Sequence, residues 1–346
     1  MADVGPSGKS GPVSLFDGDR RGQMMVVMSL TLAVLFVAMA LYLNTAIYTE
    51  NQATQQADIA GADSAVSYAE AVEDGVGGAI DYVNEYNNTA VDDDVDGHDD
   101  MRDELAADVD RWSDAAQKLE ATRGRSANAS LQGTTDGTRI VQDETGTFEN
   151  AEDPAEENWT VVRTEHVRAY EIEVTGQQLV SGSPDEIHTE EGAFNVDFDG
   201  LRHMYVHTYD GEITVTVTDS AGSFEESCGI SDTSEGAVVD VTGAELRNSD
   251  GVTESCPALH DELFGILDGT FEISHENATS VEGTYELVVD ETDISDVADN
   301  YHDHNDPGES PYTMDAIYAA DVHLVYETPR ISYATELRVA PGEPDV

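Results

Sequence analysis

The sequence predicts an α+β protein with a long N-terminal hydrophobic helix, a second amphipathic helix and a C-terminal antiparallel β-sandwich. A long charge-free apolar run near the N-terminus predicts the first helix. Apolar residues at steps of three and four predict the second, and apolar alternation of period two after Trp159 predicts the sandwich. A length of 346 residues also suggests more than one domain.

The chain is strongly acidic: 72 Asp and Glu residues stand against 15 Lys and Arg residues, for a formal net charge of −57. Such a charge destabilises a compact fold in dilute buffer, whereas molar salt shortens the Debye length to about 3 Å and screens the repulsion. The apolar alternation argues against a disordered acidic chain. We therefore predict a halophilic protein. No basic patch is present to meet phosphates, so no nucleic-acid partner is expected.

The apolar run extends from Gly22 to Thr49 without a charged residue. As a helix it is roughly 42 Å long, more than the ~30 Å core of a bilayer. A cleaved secretory signal has an apolar core of only about 7–15 residues. Because Arg20 and Arg21 precede the run and acidic sequence follows it, the positive-inside rule places the N-terminus in the cytoplasm. We predict a single-pass protein of the cell membrane with an extracellular C-terminal domain.

The junction Arg21-Gly22-Gln23, followed at once by this apolar helix, resembles the class III signal peptide of archaeal type IV pilins and pilin-like proteins. The stretches "LNTAIYTENQAT" and "SYATELRVAP" resemble poorly characterised pilin-like proteins of haloarchaea. The resemblance implies that a prepilin peptidase cuts between Gly22 and Gln23 and that the helix is kept. It also implies other pilin-like subunits as partners. The alternative is an ordinary signal anchor whose Arg-Arg-Gly has no processing role.

Helical periodicity continues beyond the apolar run, and no proline interrupts it. One helix from about Gln23 to Asp74 is therefore predicted, broken or kinked by Gly75, Gly77 and Gly78. The stripe that supports this helix consists of Ile59, Ala62, Val66, Ala69 and Val72.

A second stripe predicts an amphipathic helix from Met101 to Arg123, with Asp99 or Asp100 capping its start and Gly124 following its last turn. Residues 124–157 are polar and show little apolar pattern, so a linker or a long surface loop is expected there. The predicted parts are a cytoplasmic leader (1–22), a transmembrane stem helix (23–74), a helical and linker region (75–157) and an extracytoplasmic β-sandwich domain (158–346).

The sandwich prediction rests on short alternating runs separated by Gly, Asp, Asn and Pro, among them "EITVTVTD", "GTYELVVD" and "AADVHLVYE". The stretch "YDGEITVTV" carries an Asp-Gly hairpin turn. Within the domain, Leu259 to Leu267 suggests one short helix.

The best candidate metal site is the acidic stretch "DDDVDGHDDMRD" between the two predicted helices. Asp92, Asp94, Asp96 and Asp103 match positions 1, 3, 5 and 12 of an EF-hand calcium loop, and a glycine occupies position 6. An Asp replaces the usual bidentate Glu at position 12. The alternative is a solvated acidic loop with no cofactor, which is the expectation in a chain this rich in aspartate.

Two cysteines and four sequons carry weight because they fall in the predicted extracellular part. Cys228 and Cys256 are expected to form a disulfide, with two free thiols as the alternative. The predicted glycosylation sites are Asn87, Asn128, Asn158 and Asn277.

Enzyme signatures such as G-x-S-x-G, H-E-x-x-H and the P-loop do not occur, so we predict neither an enzyme nor a small-molecule substrate. The expected function is that of a pilin-like, membrane-anchored cell-surface protein, a minor subunit or assembly component of a pilus-like or secretion filament with an adhesive or structural role. The alternative is a single-span ectodomain that binds a partner or cell-wall component without entering a filament.

Overall fold

The computed structural model describes residues 36, 39, 40, 63–85, 97–176, 178–231, 236–264, 269–302 and 309–344. The chain forms two compact units, Met1–Ser64 and Ala65–Val346. Most of the predicted N-terminal hydrophobic helix lies outside the described residues. Among the described residues, no helix has the length and apolarity needed to cross a bilayer.

The described part is α+β with two long helices and mainly antiparallel strands. Helix α1 covers residues 63–85. Helix α2 covers His98–Ala121, close to the predicted second helix. Gly97, with φ 96°, is the N-cap, so Asp99 and Asp100 lie in the first turn instead of capping it. Their negative charges there interact favourably with the positive end of the helix dipole.

The predicted break of the first helix at its glycines is wrong, because α1 continues through all three of them. One of these glycines serves close packing, because a Cβ at Gly75 would overlap the indole of Trp112 on α2. A Cβ at Gly77 would make an ordinary contact with Pro341, at 3.5 Å. Gly78 faces open space. Tertiary packing therefore outweighs the low helix propensity of glycine here.

Fourteen strands among the described residues form two antiparallel sheets. Sheet A has eight strands in the order β10-β9-β8-β3-β12-β1-β13-β14, and sheet B has six in the order β2-β11-β4-β5-β6-β7. The strands are β1 Ser126–Thr147, β2 Trp159–Thr164, β3 Val167–Val174, β4 Asn195–Phe198, β5 Arg202–Tyr209, β6 Glu212–Asp219, β7 Phe224–Ser231, β8 Ala237–Asp240, β9 Glu245–Asn248, β10 Thr253–Ser255, β11 Phe271–Glu276, β12 Glu282–Val289, β13 Tyr312–Glu327 and β14 Ser332–Val339.

Two apolar cores hold these elements together. One lies between the sheets and combines side chains of sheet A, such as Ile172 and Leu287, with side chains of sheet B, such as Val206 and Val215. The second lies between the helices and β1, β13 and β14. Burial of apolar side chains in both cores is the main stabilising term of the fold.

The expected linker at 124–157 is largely a strand, which corrects the sequence prediction. Strand β1 pairs with both β12 and β13 of sheet A, so the sheet includes residues before the predicted domain boundary at 158. Its buried positions beside α2 are small, as at Ala127 and Ala129, and small side chains bring a helix close to a sheet. A Cβ at Gly137 would overlap Val289 O. The strand therefore lacks the apolar alternation that marks other strands.

The predicted hairpin turn and the predicted short helix both lie among the described residues. Asp210 and Gly211 both have positive φ, 52° and 86°, as a type I′ turn requires, and they join β5 to β6. In the predicted short helix, Leu259–Leu263 form a single π-helical turn.

Candidate functional site

Helix α1 is packed against sheet A through one apolar face. The side chains of that face lie in the second core with Ile317, Val322 and Tyr326 of β13 and with Val339 of β14. They recur at helical spacing over five turns and are Ala65, Tyr68, Val72, Val76, Ile80 and Val83. We call this contact, together with the polar groups described next, the α1 dock.

Asn84 adds a directional contact to the α1 dock. Its Nδ2 donates to the carbonyl oxygen of Ile317 at 3.0 Å, and its Oδ1 accepts from the Ile317 N–H at 2.8 Å. Strand β13 is irregular at this point, because Asp136 pairs with Ile317 and Thr135 pairs with Ala319. The amide of Asn84 therefore binds both backbone groups of Ile317 beside a β-bulge.

Arg168 of β3 completes the α1 dock and is only 1% exposed. Its Nη2 donates to Ile317 O at 2.9 Å, and its Nη1 donates to Pro341 O at 3.1 Å and lies 3.4 Å from Asp81 Oδ1 on α1. Burial lowers the pKa of this guanidinium, and Asp81 opposes that shift. Arg168 thus links α1, β13 and the segment after β14.

A bulge in β3 accompanies this inward-facing arginine. The pairing of β12 with β3 shifts between Glu286 and Val288, and Ala169 has a φ of 51°. A bulge of this kind re-aims the neighbouring side chains out of the regular alternation.

A cavity of about 420 Å³ lies beside the α1 dock, between α1 and sheet A. Three carboxylates that line it stand directly opposite one another on adjacent strands: Asp240 on β8, Glu171 on β3 and Glu286 on β12. Like charges in directly opposed positions repel one another. We call this space the acidic cavity.

Three arginines offset the charge of this carboxylate row. Arg139 Nε and Nη2 bind Glu286 at 2.6 and 2.8 Å, Arg247 pairs with Glu171, and Arg168 lies in the cavity wall. Burial raises the pKa of Glu171; Arg247 opposes the shift, and Asp240 and Glu286 add to it. The chemistry of the cavity therefore favours positively charged groups. Among the described residues that line it, none is a histidine or a cysteine.

Most of the predicted processing and calcium residues lie outside the described part of the chain. These are Arg21, Gly22 and Gln23, together with Asp92, Asp94 and Asp96. Asp103 is exposed on α2, which begins at His98, the seventh position of the proposed calcium loop. The processing site and the calcium loop therefore stay predictions.

Cys228 and Cys256 are joined in a disulfide with their Cα atoms 5.5 Å apart. Cys228 belongs to β7, an edge strand of sheet B, and Cys256 directly follows β10, an edge strand of sheet A. The bond therefore links the two sheets at one edge of the sandwich.

The sequons differ in accessibility. Asn128 on β1 and Asn158 before β2 are exposed. Asn277 is partly buried, and its Nδ2, the atom that would carry a glycan, donates to Ala193 O at 2.9 Å. Asn87 lies outside the described residues. Asn128 and Asn158 are thus the more open of the described sequon sites, and glycosylation itself stays a prediction.

A buried histidine occupies the core between the sheets, away from the α1 dock. His275 is fully buried, its Nε2 lies 3.1 Å from the Tyr170 hydroxyl, and its ring contacts those of Phe148 and Tyr285. Burial lowers its pKa to about 3. The imidazole is therefore neutral near pH 7 and acts as a packing group.

Of the predicted stripe, Val72 lies in the α1 dock, whereas Val66 is exposed, so that part of the prediction is wrong. The polar residues of the dock were not predicted, although the sequence contains two signals for them. Asn84 directly follows Val83 at the end of the apolar stripe of α1, where a buried amide needs partners. Arg168 of β3 occupies a position in phase with the apolar residues Tyr170 and Ile172, where a charged side chain is typical of a bulge or an ion pair. Neither signal reveals the partner Ile317, which is distant in sequence.

Comparison with known proteins adds no relative: no protein-family model, curated protein or solved structure matches the chain.

Proposed function

We propose that this protein is a pilin-like, membrane-anchored cell-surface protein that serves as a minor subunit or assembly component of a pilus-like or secretion filament. A prepilin peptidase removes residues 1–22, and the apolar helix that begins at Gln23 is kept. The acidic β-domain faces concentrated salt outside the cell. The role is adhesive or structural.

The α1 dock is the observation that carries this proposal. An anchor or filament subunit must transmit force from its N-terminal helix to its outer domain. Helix α1 follows the apolar run in sequence and is bound to sheet A along its whole buried face. Near the C-terminal end of α1, Asn84 and Arg168 add hydrogen bonds to the β13 backbone at Ile317. A load applied along α1 would therefore reach β13 and β14 of sheet A directly, and β3 through Arg168.

The alternative is a single-span ectodomain that stays in the bilayer and binds a partner or cell-wall component. The same dock would serve it, since a tethered domain also needs a firm link to its anchor. The two functions differ in whether residues 1–22 are removed and whether the protein leaves the membrane.

A processing variant separates the two functions. We expect the wild-type protein in material sheared from the cell surface. The variant Gly22→Ile should stay in the membrane fraction with its leader attached, because the residue before the cut is changed. Gly18→Ile, a matched change within the leader, should behave as the wild type. If Gly22→Ile is sheared from cells as readily as Gly18→Ile, the proposed processing and filament function are wrong.

A further inference from the structure

Three metal-ligating side chains lie together at a corner of the sandwich, outside the residues that line the acidic cavity. Glu165 and His166 form the connection between β2 and β3, and Asp290 directly follows β12. One ligand atom of each residue lies within 4.8 Å of the ligand atoms of the other two. Among the described residues, no other group of three histidine, cysteine or acidic side chains meets this spacing.

The Asp290 carboxylate is held in a fixed orientation. Its Oδ1 lies 2.8 Å from the Thr164 hydroxyl and accepts from the His166 N–H at 3.0 Å, and its Oδ2 lies 2.7 Å from His166 Nδ1. The group is thus an oriented oxygen ligand. Supporting bonds of this kind are what metal-binding carboxylates normally have around them.

The third ligand can complete the site by a small side-chain movement. In a tetrahedral site with bonds of about 2.1 Å, neighbouring ligand atoms are about 3.4 Å apart. The side chain of Glu165 is exposed, and Thr270 Oγ1 lies 3.5 Å from its Oε1. Rotation of this side chain brings its carboxylate toward the other two ligands without displacing the backbone.

We propose that Glu165, His166 and Asp290 bind one divalent transition-metal ion of the Zn²⁺ type. One imidazole nitrogen and two carboxylate oxygens suit such an ion better than Ca²⁺ or Mg²⁺, which prefer oxygen ligands alone. When the ion binds, His166 Nδ1 gives up its hydrogen bond to Asp290 and coordinates the metal instead. The neutral ring then carries its proton on Nε2. Three protein ligands leave a fourth position for water.

Such an ion would join the two sheets at this corner. The chain passes from sheet B to sheet A through Glu165 and His166, and Asp290 ends a central strand of sheet A. The ion therefore cross-links the passage between the sheets to β12. This site does not depend on the proposed function.

Zinc binding to the untagged full-length chain in detergent tests the proposal. Titration calorimetry is performed after chelator treatment, in about 1 M KCl to screen non-specific attraction, with excess MgCl₂ to occupy weak carboxylate sites. We expect one Zn²⁺ per chain. His166→Gln and Asp290→Asn should weaken binding at least about 100-fold, and Thr164→Val, which removes a supporting bond, about 10–100-fold.

His203→Gln is the matched control, because His203 also lies 3.8 Å from an aspartate, Asp197. It should bind Zn²⁺ as the wild type does. Glu165→Gln changes an exposed residue and should leave the free energy of unfolding almost unchanged, so its weaker binding would separate loss of a ligand from misfolding. The proposal is overturned if the wild type takes up no stoichiometric Zn²⁺, or if Glu165→Gln and His166→Gln bind it as tightly as His203→Gln.

Discussion

Replacing Asn84 by alanine tests the α1 dock most directly. The variant removes both hydrogen bonds to the Ile317 backbone. The carbonyl of Ile317 keeps the bond from Arg168 Nη2 at 2.9 Å, whereas the Ile317 N–H loses its acceptor in a buried position. An unsatisfied buried N–H costs about 1–3 kcal/mol, and the other lost bond about 1 kcal/mol. We therefore expect a loss of about 2–4 kcal/mol.

Urea denaturation followed by circular dichroism, in about 1 M KCl, measures this loss. The matched control is Asn128→Ala, an exposed asparagine on β1, which should change the free energy of unfolding by less than about 0.5 kcal/mol. Hydrogen exchange should accelerate in α1 and β13 of Asn84→Ala before it does in sheet B. If the two variants are equally stable, the Asn84 bonds do not hold α1, and the dock described above is wrong.

Three further predictions address the core, the helix and the sheet edge. Removing the disulfide in the double variant Cys228→Ser, Cys256→Ser should lower the free energy of unfolding by about 3–4 kcal/mol, as measured by urea denaturation. An unchanged denaturation midpoint would show that the link between the sheets adds no stability. His275 takes up a proton in the unfolded chain below pH 6.5 but in the folded chain only near pH 3, so stability should fall as the pH drops through this window. His275→Phe should remove about 2 kcal/mol of the loss between pH 7 and 5, and an unaltered pH profile would contradict the assignment. Gly75→Ala should lower the melting temperature, because the new Cβ would overlap the indole of Trp112. Gly78→Ala should raise the melting temperature, because alanine has a higher helix propensity than glycine, which stabilises the helix by about 1 kcal/mol. Equal effects of the two variants would refute the packing argument.

The sequence predicts those elements whose apolar residues recur with a simple period. Strands β6 and β12 and the second half of β13 alternate apolar and polar residues, and α2 carries an apolar stripe, so the sequence indicates their types. The sequence did not predict strand β1, because its buried positions beside α2 are alanines and its other residues are mostly polar. Its conformation is decided by two neighbouring strands that are distant in sequence.

The candidate sites depend even more on tertiary structure. The sequence alone suggests the disulfide, because only two cysteines are present in the predicted extracellular part. The α1 dock depends on bulges in β3 and β13, which bring Arg168 and Ile317 together. The row of Asp240, Glu171 and Glu286 depends on strand order, which periodicity does not specify. Such pairings are non-local, and local propensity carries no information about them.

The N-terminus of the native chain tests the central claim most directly. Intact-mass measurement and N-terminal peptide analysis of protein from membranes and from sheared cell-surface material would determine it. The proposed pilin-like function predicts a mature chain that begins at Gln23 and is present in the sheared material. A chain that keeps residues 1–22 in every fraction would contradict it and favour the single-span ectodomain.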